Sequence, residues 1–294
     1  MTTIIEDLKS QFRTGDITTK LIFWNILLFV LPYILMLFFW LAGMEINPVD
    51  YVSLSSDPRE LLWKPWSLIS YAFFHADILH ILFNMLMLNF AGRLFVTFFT
   101  QKQLLSLYFL GSMCAGIIYI LCYTFFPALI NINASLIGAS ASVMAILFAT
   151  VTYAPLMEVR LLLFGNVRLW HIAIVLIIID LIQLPRENTG GHVAHLGGAF
   201  FGYIYIRQLK SGRDIGRWLT TLLDTVFSSK RKQPAFRKVH RNYQPRPATR
   251  STTSRIVTKD RAQQQLDDIL DKISQSGYDS LTKDEKEFLF RAGK

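Results

Sequence analysis

The sequence predicts an all-α polytopic membrane protein, and its composition and apolar pattern carry that prediction. Of the 294 residues, 52% are hydrophobic and only 17% are charged, whereas charged residues make up about a quarter of a typical soluble domain. The mean hydropathy is +0.35. Cys114 and Cys122 lie in one apolar stretch, so no disulfide framework is indicated. A disordered chain and an ordinary cytosolic enzyme are also excluded.

Six apolar stretches are long enough, or nearly so, to cross a bilayer as helices. A hydrocarbon core about 30 Å thick needs roughly 20 apolar residues in one helix. The first stretch is longer than a signal-peptide core and follows acidic residues, so we expect it to be retained. The predicted spans are residues 21–43, 68–91, 104–126, 135–152, 170–184 and 192–209.

The charges in the loops predict that both termini are cytoplasmic. The loop after the first span is net acidic, whereas basic residues follow the second span and crowd together after the sixth. Cytoplasmic loops are enriched in lysine and arginine. The net charge of +9 is therefore interpreted as a topology signal, and no nucleic-acid partner is expected.

Amphipathic patterns before the first span and after the sixth divide the chain into further segments. Residues 1–19 are predicted to be an N-terminal cytoplasmic or interfacial segment, and residues 20–209 to be the membrane domain. Residues 210–229 carry apolar side chains at helical spacing. That spacing predicts an amphipathic helix lying on the inner leaflet.

The last part of the chain predicts a linker and a small helical module. Residues 230–259 contain prolines and no acidic residue, which is typical of a basic flexible linker. Residues 260–294 are predicted to form a helical hairpin, because Gly277 interrupts an apolar stripe and Thr282 with Glu285 forms a capping box. The partner of this module is not readable from the sequence.

Polar side chains in the outer parts of the second, fourth and sixth spans predict a functional site. These spans run in the same direction, so depths along them can be compared. Ser140 and His195 should each lie on the order of 5–10 Å below the outer surface, at 1.5 Å per residue. Ionisable and polar residues inside a membrane are costly, and they indicate function by default. The other polar residues of this layer are His75, His80, Asn84 and His192.

A serine and a histidine at matched depth predict a nucleophile and its general base. A neutral imidazole can take the proton of a serine hydroxyl, and such catalysis is worth about 10²–10⁴-fold. The oxyanion formed by acyl attack needs hydrogen-bond donors. His80, Asn84 and the backbone N–H of Ser140 are the candidate donors.

Helix packing is an alternative explanation for several of these residues. Gly138 and Ser142 are four positions apart and make an ordinary small-residue packing face. Gly198 and Gly202 fit the same pattern on the sixth span. Ser140, taken alone, is also compatible with packing, and Asn84 with an interhelical hydrogen bond.

Metal binding is a second alternative for the histidines. Four histidines and one carboxylate could line such a site: His75, Asp77, His80, His192 and His195. No thiolate lies nearby and no HExxH motif is present, so a zinc metalloprotease is not indicated. Asp77 is better explained as a solvated or capping group. Asp180 on the fifth span could orient a histidine or make a structural polar contact.

The combination of motifs resembles the rhomboid family of intramembrane serine proteases. The resemblance covers roughly residues 20–209. It is carried by His80-x-x-x-Asn84 on the second span, Gly138-x-Ser140 on the fourth and Ala194-His195-x-x-Gly198-x-x-x-Gly202 on the sixth. It implies a six-helix rhomboid fold with a Ser140–His195 dyad that includes no aspartate. Separately, we predict that His75 and His192 support the site as substrate or packing residues, together with Gly138, Gly198 and Gly202.

The resemblance also implies how the dyad is supported. His80, Asn84 and the Ser140 N–H would form the oxyanion pocket, and Gly198 with Gly202 would let the fourth and sixth helices approach closely. The first loop, with Trp63 and Trp66, looks like the family's membrane-dipping element. Two departures are that Ser67 follows Trp66 where many members have arginine, and that Ala141 follows the serine where many have glycine.

The activity implied is cleavage of single-span membrane proteins within or near their transmembrane segment, without a cofactor or a metal. Membrane lipid is the other expected partner. The tail from residue 260 looks like the module found on Bacteroidetes-type bacterial rhomboids, which implies a bacterial inner membrane with the active site opening to the extracytoplasmic side. The alternative is a non-proteolytic rhomboid-like protein that binds membrane clients.

Overall fold

The computed structural model describes residues 3–162, 164–227 and 254–292, and these residues are predominantly helical. The chain divides into two compact units, Met1–Arg231 and Lys232–Lys294. Most of the predicted linker, residues 230–253, lies outside the described residues.

Ten described helices belong to the first unit. They are α1 (Ile4–Thr14), α2 (Ile17–Leu41), α3 (Pro58–Trp63), α4 (Ser67–Ser70), α5 (Ile78–Val96), α6 (Gln101–Phe125), α7 (Ser140–Tyr153), α8 (Leu169–Gln183), α9 (Thr189–Lys210) and α10 (Arg217–Phe227). By length and composition, α2, α5 and α6 are able to cross a membrane, and α7 and α8 are shorter apolar helices.

The second predicted span, residues 68–91, is not one continuous helix. After α4 and a 3₁₀ turn at Tyr71–Phe73, the chain is extended at Phe74 and Asp77 before α5 begins. The Asp77 carboxylate accepts the backbone N–H of His80 at 2.8 Å and so acts as the N-cap of α5. His75 therefore lies in the break before the helix, because a local side-chain cap restarts the helix within an apolar stretch.

Short strands also correct the all-α prediction. β1 (Leu54–Ser55) pairs antiparallel with β2 (Ser135–Leu136), which attaches the first loop to the segment preceding α7. The fourth predicted span therefore begins as a strand, and its helix starts only at Ser140. A hairpin of β3 (Glu158–Leu161) and β4 (Gly165–Arg168) joins α7 to α8.

The core of the first unit surrounds α7. Residues on all sides of this helix are buried, because it packs against α5, α6, α8 and α9. Hydroxyl groups inside the core donate to backbone carbonyls: Tyr108 to Ala72 at 2.8 Å and Tyr71 to Ser112 at 2.7 Å. A buried hydroxyl needs such a partner. Because α7 is surrounded by these helices, its first residue, Ser140, is held in a fixed position by the core.

The predicted amphipathic helix of residues 210–229 is shorter in the structure. Helix α9 continues to Lys210, and Gly212 then turns the chain with a φ of +82°. Glycine adopts this left-handed conformation without a side-chain clash. Helix α10 begins only at Arg217.

The second unit contains α11 (Ser254–Ser276) and α12 (Lys283–Ala292). Thr282 and Glu285 form the predicted capping box: the Thr282 N–H donates to the Glu285 carboxylate at 2.8 Å, and the Glu285 N–H donates to the Thr282 hydroxyl at 3.4 Å. Helix α11 starts before the predicted linker boundary at residue 259. The prolines that suggested a linker end at Pro247, so residues 254–259 hold no helix breaker.

Candidate active site

Ser140 is the first residue of α7, and the turn that precedes it depends on Gly138. Gly138 has a φ of +129°, and a Cβ at this position would come within 2.8 Å of His80 Nε2. The half-buried Ser140 side chain lines a cavity. Backbone N–H groups in the first turn of a helix have no intrahelical acceptor. The N–H of Ser140 is one of these groups, so it can donate to an anion in the cavity.

His195 lies on α9 with its ring held from one side by Asp180 of α8. The distance from His195 Nδ1 to Asp180 Oδ1 is 2.8 Å. The same oxygen is 2.7 Å from His192 Nδ1. The carboxylate of Asp180 is buried, and its second oxygen has no hydrogen-bond partner among the described residues. A hydrogen bond at Nδ1 leaves His195 Nε2 available for a different contact.

The ring of His80 on α5 is held through a backbone N–H group, whereas the ring of His195 is held through a carboxylate. The Ala76 N–H donates to His80 Nδ1 at 3.3 Å. Because Nδ1 accepts this hydrogen bond, the proton of the neutral ring is assigned to Nε2. That nitrogen lies beside Gly138, the residue two positions before Ser140. His80 is therefore placed as a hydrogen-bond donor next to the serine.

One cavity of about 340 Å³ brings the predicted residues together. Its polar lining comprises His80, Asn84, Ser140, Asp180, Asn188, His192 and His195. Asn84 donates from Nδ2 to the backbone carbonyl of His80 at 2.9 Å, which uses one of its two N–H groups. Among the hydrogen bonds of the described residues, none joins the Ser140 hydroxyl directly to His195.

Gly198 and Gly202 lie on the face of α9 that contacts α7. A Cβ on Gly198 would overlap the Ala141 carbonyl, and a Cβ on Gly202 would overlap the carbonyl of Ala145. Only glycine therefore permits the observed approach of the two backbones. The helices that carry Ser140 and His195 are held together by this contact.

Other predicted residues support the site without lining the cavity. His75 is buried, and its Nε2 accepts the N–H of Ala139 at 3.4 Å, so it contacts the turn just before the serine. Ser142 is fully buried and donates to the Tyr108 carbonyl at 2.8 Å. This contact gives Ser142 a packing role.

The two tryptophans of the first loop differ in their contacts. Trp63 is 81% exposed, while the Trp66 indole donates to the Tyr51 carbonyl.

The histidines do not assemble as the alternative metal hypothesis supposed. Among the described residues, the group with metal-ligand spacing is Asp180, His192 and His195, whose ligand atoms lie within 4.8 Å of one another. His75 and His80 instead pack edge to face with ring centroids 5.1 Å apart, and of these two only His80 lines the cavity. The sequence did not decide whether Asp180 orients a histidine or makes a structural polar contact. The one signal for a role was the position of a single acidic residue in an apolar helix.

Family models match parts of both units. The Rhomboid domain family matches residues 62–211, and a family of unknown function (DUF6576) matches residues 257–292. The chain is 29% identical over 158 residues to RHOMBOID-like protein 12, mitochondrial, of Arabidopsis thaliana, covering 50% of this chain and 47% of that protein. It is 30% identical over 138 residues to Presenilin-associated rhomboid-like protein A, mitochondrial, of Danio rerio, covering 46% of this chain and 35% of that protein. The chain thus spans less than half the length of each relative.

Proposed function

The chain belongs to the rhomboid family, and we propose that this integral membrane protein is a serine endopeptidase acting on single-span membrane proteins. The proposed cut lies within or near the transmembrane segment of the substrate. One observation carries the proposal: Ser140, His195, His80 and Asn84 line the same cavity. These four residues supply a nucleophile, a base and two oxyanion donors.

In the proposed mechanism, the Ser140 hydroxyl attacks the carbonyl carbon of the scissile peptide bond. Nε2 of His195 accepts the hydroxyl proton, because Nδ1 is engaged by Asp180. The two side chains must approach when substrate occupies the cavity, since they are not directly hydrogen-bonded in this structure. Such catalytic hydrogen bonds commonly tighten only in the substrate complex.

The oxyanion of the tetrahedral intermediate would be stabilised by three donors: the Ser140 N–H, the His80 Nε2–H and an N–H of Asn84. When the intermediate collapses, His195 gives its proton to the leaving amine and Ser140 keeps the acyl group. Water, activated by the same imidazole, then hydrolyses the ester and returns the serine. No step needs a cofactor or a metal.

The apolar lining of the cavity supports a membrane-embedded substrate. Phe83 and Met87 on α5 and Leu176 and Ile179 on α8 contribute to the lining. Phe83 and Ile179 are also exposed on the outside of the helices. An apolar segment could therefore pass between α5 and α8 and present its backbone to Ser140. Substrates with helix-weakening or small residues near the cut would expose that backbone most readily.

The topology proposed has six membrane-crossing helices, namely α2, α5, α6, α7, α8 and α9, with both termini in the cytoplasm. The alternation of basic residues between loops supports it. The active site would then open to the extracytoplasmic side, where water can reach it. We propose a bacterial inner membrane as the location, because the C-terminal module resembles the one found on Bacteroidetes-type bacterial rhomboids.

Labelling with a fluorophosphonate probe in detergent tests this function. Wild type should be labelled, whereas Ser140→Ala and His195→Ala should not, because the probe reacts only with an activated serine. Ser142→Ala is the matched control and should be labelled like wild type. If wild type is not labelled under conditions that label a known active rhomboid, the proposal fails and the client-binding alternative takes its place. If labelling is lost in Ser142→Ala but kept in Ser140→Ala, the nucleophile is Ser142 and the assignment of Ser140 is wrong.

A further inference from the structure

We propose that Asp180 is a positioning residue of the reaction, which holds His195 in the tautomer whose Nε2 can accept the Ser140 proton. This inference rests on the proposed function. It adds a third side chain to the Ser140–His195 dyad, although the family resemblance implied a dyad without an aspartate.

The distances between the three side chains carry the argument. Asp180 Oδ1 is 2.8 Å from His195 Nδ1 and 2.7 Å from His192 Nδ1. These are hydrogen-bond distances, and an ionised carboxylate can only accept. Both imidazoles must therefore carry a proton on Nδ1. In the neutral His195 ring, Nε2 is then unprotonated, which is the state that a general base requires.

The burial of Asp180 indicates that its charge has a use beyond packing. Only 3% of the residue is exposed, and it is the one charged residue of α8. Placing a carboxylate in such an environment is costly. A neutral asparagine could make structural hydrogen bonds at lower cost. A negative charge is instead suited to stabilising the imidazolium that forms when His195 takes the proton.

His192 completes the arrangement by fixing the carboxylate. It lies one turn before His195 on α9, and the two rings are nearly perpendicular, at 85°, with centroids 5.7 Å apart. Because His192 donates to the same oxygen, Asp180 Oδ1 is directed toward α9. His192 thus acts on the proposed base through Asp180, without needing to reach the serine.

The test compares Asp180→Asn with Asp214→Asn in the full chain, using the fluorophosphonate labelling rate. The amide introduced by Asp180→Asn can donate to His195 Nδ1 and so favours the wrong tautomer. We expect the maximal labelling rate to fall about 10²–10⁴-fold, with little change in the probe concentration that gives half the maximal rate. Asp214 also accepts hydrogen bonds, from Tyr205 and from the Gly216 N–H, but lies after α9 and outside the cavity lining. The same change there should leave the labelling rate near that of wild type.

Nitrogen-15 NMR of the His195 ring provides a second readout on folded wild-type protein, in case Asp180→Asn does not fold. A protonated Nδ1 with an unprotonated Nε2 supports the proposal, and the opposite tautomer overturns it. An unchanged labelling rate in folded Asp180→Asn also overturns it. Labelling that disappears on metal chelation would assign Asp180, His192 and His195 to a metal instead. If wild type is not labelled at all, it is the proposed function that fails.

Discussion

Gly198 on α9 lies directly against the backbone carbonyl of Ala141 on α7, the residue that follows Ser140. Gly202 repeats the contact one turn later, against Ala145. These two contacts leave no room for a Cβ between the helices. The separation of Ser140 and His195 is therefore set by backbone packing as well as by the side chains of the site.

Replacing Gly198 by alanine should separate α7 from α9. The added methyl group overlaps the Ala141 carbonyl, so we expect a loss of about 1–3 kcal/mol in the free energy of unfolding and a larger proportional loss of serine labelling. Thermal unfolding in detergent and the labelling rate measure the two effects. Phe200→Ala is the control on the same helix, because Phe200 is 57% exposed. Equal effects of the two variants would show that the contact with Ala141 is unimportant.

Removing a proposed oxyanion donor should lower kcat and leave KM nearly unchanged. His80→Ala or Asn84→Ala should each reduce kcat by about 10²–10³-fold, because the donor acts mainly on the charge of the transition state. Turnover of a transmembrane substrate measures both constants. Asn89→Ala is the matched control: Asn89 is on the same helix, but its carboxamide accepts from Arg93. A comparable loss of kcat in that variant would contradict the assignment.

Gly138→Ala should damage both stability and activity. The φ of +129° is strained for alanine, and the new Cβ would meet His80 Nε2. We expect a cost of about 1–3 kcal/mol, measured by thermal unfolding. The double variant Gly138→Ala/His80→Ala separates the two causes, because it removes the clash and keeps the backbone strain. If the changes in unfolding free energy of Gly138→Ala and His80→Ala simply add in the double variant, the clash is excluded as a cause of the destabilisation.

The helical hairpin of the second unit should lose protection at low pH. Lys272 donates to both carboxylate oxygens of Glu285 at 2.9 Å, and with the Thr282 N–H it holds the pKa of that carboxyl below its usual range. A lowered pKa stabilises the folded state above the unfolded pKa, and this contribution disappears as the pH falls through the folded pKa. Hydrogen-exchange protection of α12 in the full chain should decrease over that interval.

Two substitutions test whether the contact between Lys272 and Glu285 causes the loss of protection at low pH. Glu285→Gln should give lower protection at neutral pH and a flatter dependence on pH. Glu287→Gln is the control, because Glu287 pairs with Arg291 on the exposed face of α12. If Glu287→Gln removes the pH dependence instead, the contact between Lys272 and Glu285 is not its cause.

Local patterns in the sequence predicted much of the secondary structure. The apolar stretch 104–126 corresponds to helix Gln101–Phe125, and the capping box of Thr282 and Glu285 is present. Both depend on neighbours only a few positions apart. The break before α5 was not predicted, because hydropathy averaged over a span does not register one capping side chain at Asp77. The β1–β2 pairing was missed since its strands are about 80 residues apart in the chain.

The sequence by itself determined the residue types of the candidate site and their order along the chain. The matched depth of Ser140 and His195 stays a prediction from helix rise. The sequence could not decide between an orienting and a structural role for Asp180. Periodicity defines which residues share a face of one helix, but not how two helices are rotated against each other. Only the packing of α8 against α9 brought Asp180 Oδ1 within hydrogen-bond distance of both His192 and His195.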